Sequence, residues 1–140
     1  MQPILMYVAE KHIRVRYGET DQMGYVYYGN YPLYYEEGRT DAIKQLGIIY
    51  KQMEADGILM PVAELLIRYI GPAVYDEELK VRTTIKELPT RKMKFYTDIF
   101  NEQGLLINTG ETTLVFVKAA TRKACMAPEK VLAALRPFFE

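Results

Sequence analysis

The chain has 140 residues, 49% of them hydrophobic, which suffices for one domain with a buried core. Eighteen basic residues balance eighteen acidic ones, so the basic excess typical of a nucleic-acid binder is missing, and near-zero net charge favours self-association. No run approaches the roughly 20 apolar residues of a membrane span, Met1 to Ala9 lacks the basic start of a signal peptide, and the single cysteine, Cys125, suits a reducing, cytoplasmic setting.

In chain order, His12 to Tyr17 alternates Ile13 and Val15 against Arg14 and Arg16, the pattern of a strand. Gly18 to Asn30 holds three glycines and no helical period, so it reads as a sharply turning loop. Pro32 suits the first turn of a helix, and Asn30 just upstream is an N-cap candidate. Leu33, Ala42, Ile43 and Leu46, with Tyr34 or Tyr35, supply an apolar stripe, and Gly47 closes the helix. Gly38 in its middle costs about 1 kcal/mol relative to alanine, which implies that another backbone or a ligand passes close by. A second short helix runs from about Tyr50 to Ala55 and ends at Gly57.

Leu59 to Ile70 is almost wholly apolar apart from Glu64 and Arg68, so a central strand is expected there, broken by Gly71-Pro72. Glu78 to Leu88 alternates Leu79, Val81, Thr83 and Ile85 against Lys80, Arg82, Thr84 and Lys86, as a half-buried antiparallel strand does. Pro89-Thr90 turns the chain, Lys92 to Phe100 alternates again, and Asn101 to Gly104 holds a hairpin turn. Leu105 to Lys118 is the last long strand, and Pro128 opens a short helix containing Val131, Leu132 and Leu135. The whole chain, residues 1–140, thus describes one α+β domain: a long helix covering a sheet of about five antiparallel strands.

Several kinds of chemistry are poorly supplied. With His12 and Cys125 as the only nitrogen and sulfur ligands a zinc site is not expected, and no other metal or cofactor is called for. The lone histidine leaves no Ser-His-Asp or Cys-His pair, and neither a phosphate-binding nor a dinucleotide-binding glycine motif is present. His12, on a strand with no catalytic neighbour, reads as structural. Carboxylates remain. Asp21 lies on a glycine-flanked loop that leads into a helix, where backbone N–H groups point outward unpaired; on spacing alone a turn or cap aspartate is the simpler reading, with a catalytic acid the alternative. Glu36 and Glu37 read as partners of the helix dipole. Glu64 needs a partner if it is buried in its apolar strand. Of the twelve tyrosines, several fall between Tyr17 and Tyr35, and most read as packing rather than as a ligand-lined wall.

The run Arg14-Val15, then Thr20-Asp21-x-x-Gly24, Val26-Tyr27, Asn30-Tyr31, Glu37-x-Arg39 and Gly47 resembles the signature of the 4-hydroxybenzoyl-CoA thioesterase family. The resemblance covers about a quarter of the chain and implies the hotdog fold, in which a curved antiparallel sheet wraps a long helix. It further implies acyl-CoA thioester hydrolysis in a homodimer or homotetramer joined edge to edge, with active sites between subunits. The family's catalytic aspartate falls on Asp21 and its loop glycine on Gly24. Backbone N–H groups around Tyr28, Gly29, Asn30 and Tyr31 would face the thioester oxygen. Many relatives carry histidine where this chain has Tyr28. Gly38 is expected where the helix meets its two-fold mate. Arg91, Lys92 and Lys94, clustered near a strand turn, are candidate contacts for the CoA phosphates, although solvated surface is the simpler reading. Alternatives on the same fold are a non-catalytic acyl-binding protein, a thioesterase for carrier-bound acyl groups, and a dehydratase, which the absence of a histidine from the motif disfavours.

Overall fold

A computed structural model describes residues 5–140, so the first four residues of the Met1–Ala9 stretch lie outside the described residues. Its strands are β1 (Tyr7–Arg14), β2 (Ile58–Leu59), β3 (Val62–Tyr69), β4 (Glu78–Ile85), β5 (Lys92–Phe100), β6 (Leu106–Val115) and β7 (Val117–Lys118). Its helices are α1 (Tyr31–Gln45), α2 (Tyr50–Ala55) and α3 (Glu129–Leu135). Five strands form one antiparallel sheet in the order β1-β4-β5-β6-β3, and β2 pairs with β7 in a separate ribbon. The sheet does not close into a barrel.

Helix α1 starts where Pro32 gives up an N–H that the first turn does not need. It ends at Gly47, whose φ of 84° only glycine adopts without strain. There the N–H groups of Gly47 and Ile48 return to the carbonyls of Lys44 and Ile43. Its buried face is Tyr31, Tyr34, Tyr35, Gly38, Arg39, Ala42 and Ile43, spaced three and four apart. Leu33 is not on that face; it is 57% exposed. Asn30 is not a side-chain cap either, because its amide donates to the Glu19 carbonyl at 2.9 Å.

Gly38 is explained by the chain's own sheet. A Cβ there would stand 2.6 Å from Cγ1 of Val81 and 3.0 Å from Oγ1 of Thr83, both on β4. The close neighbour is therefore a pair of β4 side chains, neither a ligand nor a two-fold mate. Gly110 on β6 plays the same part under the ring of Tyr35, whose buried hydroxyl donates to Oδ1 of Asn108.

The apolar run from Leu59 to Ile70 departs most from expectation. Pro61 cannot donate to a ladder, so the run splits into β2 and β3, and β3 lies at the edge of the sheet rather than its centre. Leu105 to Lys118 splits likewise, into β6 and β7 around Phe116. The first strand begins earlier than its alternation indicated, at Tyr7, and β4 stops at Ile85. Because α1 packs mainly over β1, β4 and β5, β3 is left uncovered: Val62, Leu65, Leu66 and Tyr69 are all more than 40% exposed.

Two apolar clusters fill the space under the helices. One joins Tyr31, Tyr34 and Tyr35 to Val81, Ile99 and Ile107, and the other joins Ala42 and Ile43 to Phe95, Phe116 and the inner face of α3. Among the described residues, no helix is long and apolar enough to cross a membrane. Since the α1–β4 contact leaves no room at Gly38, Gly38→Leu should lower unfolding free energy by about 1–3 kcal/mol through overpacking. A urea titration checks this; an unchanged midpoint would contradict the contact.

Candidate active site

The loop between β1 and α1 is a folded structure with its own hydrogen bonds. A short helical turn, Tyr17–Glu19, brings the Glu19 carboxylate back to Arg16, where Oε1 accepts the backbone N–H at 2.8 Å and Oε2 accepts the guanidinium at 2.9 Å. The hydroxyl of Tyr34 on α1 donates to the same carboxylate at 2.9 Å. Burial works to protonate Glu19, but these donors outweigh it and hold the carboxyl below its ordinary range. Burial first, and then the bond to Glu19, push the Tyr34 hydroxyl up. The Glu19 carbonyl accepts from the N–H of Tyr27 and the Asn30 amide, each at 2.9 Å. Glu19 thus fastens the loop to both β1 and the start of α1.

Asp21 lies at the tip of this loop, just beyond the bridge between Thr20 and Val26. Its Oδ1 accepts the N–H of Met23 at 2.9 Å and that of Tyr25 at 3.3 Å. The N–H of Gly24 returns to the Asp21 carbonyl at 3.0 Å, with Gly24 at φ 83°. Asp21 is therefore a turn aspartate through Oδ1, while Oδ2 makes no hydrogen bond among the described residues. The two readings left open by its spacing are compatible.

A second short turn, Tyr28–Asn30, leads directly into α1. The N–H of Asn30 is taken by the Tyr27 carbonyl at 2.9 Å. Tyr28 and Gly29 open the turn, so their N–H groups have no partner within it. Any side chain at Gly29 would meet the Tyr27 ring, with Cβ only 2.7 Å from it. Tyr31 packs edge-on to Tyr69 at 5.5 Å between centroids, and burial pushes its hydroxyl up to about 12. The Tyr69 hydroxyl donates to the Tyr28 carbonyl at 3.0 Å, tying the end of β3 to this turn. Tyr27, Tyr28 and Tyr69 present exposed rings, whereas Tyr31, Tyr34 and Tyr35 are buried. Packing accounts for the buried three, and the exposed three line a wall beside the turn.

The structure brings Asp21, Gly24, Tyr28, Gly29, Asn30 and Tyr31 into one loop and helix start. It does not bring Arg91, Lys92 and Lys94 there within the same chain. Lys92 pairs with Val115, whereas Asn108 and Tyr69 pair near the other end of β5 and β6. The seven residue steps from Lys92 to Ile99 span about 23 Å. Arg91 and Lys92 are exposed, and Lys94 lies 5.9 Å from the Tyr96 ring. His12 pairs with Glu78 on the outer surface at 3.2 Å, and Glu37 with Lys11 at 3.6 Å rather than with the first turn of the helix. Glu64 is exposed, so it needs no buried partner. Sequence reasoning passed over Glu19, although its spacing of three from Arg16 was a local signal, and over Tyr69, which sequence distance concealed.

A long helix on a five-stranded antiparallel sheet, with a carboxylate loop at the helix start, is the hotdog architecture of thioesterases. Residues 15–135 match the thioesterase-like superfamily, and the chain belongs to that family. It is 45% identical to YneP of Bacillus subtilis, provisionally named an acyl-CoA thioesterase, over 72% of this chain and 73% of that protein. It is 38% identical to a DHNA-CoA thioesterase from Staphylococcus aureus of known structure, with a TM-score of 0.82 over 85% of this chain and 80% of that one. A 4-hydroxybenzoyl-CoA thioesterase complexed with 4-hydroxybenzoyl-CoA shares the fold, with a TM-score of 0.83 at 19% identity over 92% of this chain and 99% of that one.

The lowered Glu19 carboxyl fixes a sign. A depressed folded value stabilises the protein above the ordinary carboxyl value of 4.5, and the contribution is lost as pH falls through the folded value. Glu19→Gln should therefore lower stability at neutral pH and flatten the acid loss below it. Urea midpoints from neutral pH to about pH 3 measure this; parallel curves for the two proteins would contradict it.

Proposed function

We propose that this acyl-CoA thioester hydrolase cleaves its substrate at Asp21, in a site completed by a second copy of the chain. The observation that carries the reading is the division of labour within Asp21. Oδ1 is held by two loop N–H groups, and Oδ2 is left for chemistry. Placed against the thioester carbon, that oxygen can attack to give a mixed anhydride and expel the CoA thiolate, after which water hydrolyses the anhydride. Placed against a water, it takes the proton while the water's oxygen attacks. Both routes build negative charge on the carbonyl oxygen, which the opening N–H groups of Tyr28 and Gly29 and the positive end of α1 would stabilise. The thiolate leaves without a metal or a strong acid.

The exposed apolar edge of β3 supports a homodimer, and sheets joined antiparallel through β3 would set the Val62 end of one protomer against the Tyr69 end of the other. The partner's Arg91, Lys92 and Lys94 would then stand about three strand spacings, roughly 14 Å, from this chain's Tyr69, within the reach of an extended CoA. That arrangement accounts for basic residues that are remote from Asp21 in one chain. A tetramer would be a pair of such dimers. The exposed rings of Tyr27, Tyr28 and Tyr69 suit an aromatic acyl group, for which edge-to-face contact is favourable. The reduced Cys125 fits a cytoplasmic enzyme.

Thiol release from a panel of acyl-CoAs tests the reading. Asp21→Asn should reduce turnover by about 10²- to 10⁴-fold with the fold intact by circular dichroism. Retained turnover in that variant would remove Asp21 from the mechanism, and turnover restricted to carrier-protein thioesters would replace CoA as the substrate.

A further inference from the structure

The N–H groups of Tyr28 and Gly29 belong to two different peptide units, and each unit is held by its carbonyl end. The N–H of Tyr28 shares its peptide with the Tyr27 carbonyl, which accepts the backbone N–H of Asn30 at 2.9 Å. The N–H of Gly29 shares its peptide with the Tyr28 carbonyl, which accepts the Tyr69 hydroxyl at 3.0 Å. The first hold is local, a turn closing on itself. The second comes from 41 residues away, at the end of β3.

Tyr69 is anchored so that its hydroxyl stays there. Its backbone pairs with Asn108 on β6, and the next two N–H groups, of Ile70 and Gly71, both donate to the Ile107 carbonyl at 2.9 Å. Its ring stands edge-on to Tyr31 at 5.5 Å and to Tyr28 at 6.4 Å between centroids. The hydroxyl is thus aimed from the sheet, not from the loop. The Tyr27 ring in turn lies against Gly29, 2.7 Å from where a Cβ would stand.

A hydrogen bond accepted by an amide oxygen does two things to the N–H of the same planar unit. It fixes the plane, and with it the direction in which the N–H points. It also polarises the amide, which makes the N–H a stronger donor. Donors set in advance toward developing negative charge lower the barrier to acyl transfer. The ring of Tyr69 is free to meet an acyl group, but its hydroxyl is committed to the backbone. We propose that the Tyr69 hydroxyl is a positioning group for the reaction: through the Tyr28 carbonyl it aims and strengthens the Gly29 N–H that meets the oxyanion, whichever acyl group is bound. This rests on the reading of Asp21 and the helix start as the thioesterase site.

Tyr69→Phe removes the hydroxyl and keeps the ring. Thiol release from benzoyl-CoA, butanoyl-CoA and decanoyl-CoA is compared at every ester that the unmodified enzyme cleaves. The variant's kcat should fall about 3- to 10-fold, the worth of one neutral hydrogen bond, by a similar factor on each ester and with KM nearly unchanged. An unchanged kcat, a rise in KM alone, or a loss on one cleaved ester and not another would overturn the proposal, the last two marking a hydroxyl that touches the acyl group. A second readout separates aiming from support of the fold. In the Asp21→Asn background, which should hold the ester without cleaving it, the infrared stretch of the bound thioester carbonyl should rise in frequency when Tyr69→Phe is added, because a weaker donor polarises it less. An unmoved stretch would overturn the proposal, and so would a kcat loss accompanied by a smaller mass in light scattering, which marks a tyrosine needed for assembly. If the unmodified enzyme cleaves none of the three esters, the thioesterase reading of Asp21 falls and this inference with it; if it cleaves them and Tyr69→Phe matches it, that reading stands and only this inference falls.

Discussion

An uncovered edge strand is the constraint on which the rest of the molecule depends. β3 presents Val62, Leu65, Leu66 and Tyr69 to solvent, has a sheet neighbour on one side only, and is not roofed by α1. A long apolar edge of this kind is an open template for another strand. Beside it, the rings of Tyr27, Tyr28 and Tyr69 are also left exposed within one chain. A second chain added at β3, as we propose, would cover both the strand and this wall. In that proposed dimer the separation of the basic residues from Asp21 would have the same resolution, since an antiparallel join exchanges the ends of the sheet.

The loop before α1 shows how a sequence of modest length presents the carboxylate that we propose reacts, without burying it. Glu19, not Asp21, does the structural work, collecting Arg16 and Tyr34 on its side chain and Tyr27 and Asn30 on its carbonyl. Asp21 is thereby free to spend only one oxygen on its own turn. Gly24 supplies the backbone angle that the turn requires, and Gly29 keeps the approach to the helix start clear of a side chain. Neutralising Glu19 would loosen the frame, whereas neutralising Asp21 would remove the proposed reacting group. The two acids are therefore distinguishable by stability and by turnover.

Much of the fold was legible in the sequence because local rules agree with it. The alternation in β4 and β5, the glycine at the end of α1 and the proline at its start each specify their element without help from distant residues. β3 was misplaced for a physical reason. An apolar run is central when its own chain buries it, and the same composition would serve an edge that a second chain covers, as we propose for β3. Pro61, which splits that run, was the available sign. At the site, Asp21 and Gly24 were legible as neighbours in sequence. The parts played by Glu19 and Tyr69 were not, because they depend on Tyr34 and Tyr28, 15 and 41 residues away. Gly38 was correctly marked as a close approach, but which surface approached it could be read only from β4.

Hydrogen exchange at the backbone of Val62–Tyr69 tests the central claim most directly. If β3 is joined to β3 of a second chain, the outward-pointing N–H groups of this strand are hydrogen-bonded between chains. They should exchange slowly in concentrated protein and speed up on dilution, while β4 and β5 stay protected throughout. Rapid exchange at those positions at every concentration would leave β3 a free edge, and the account of a site shared between two chains would be wrong.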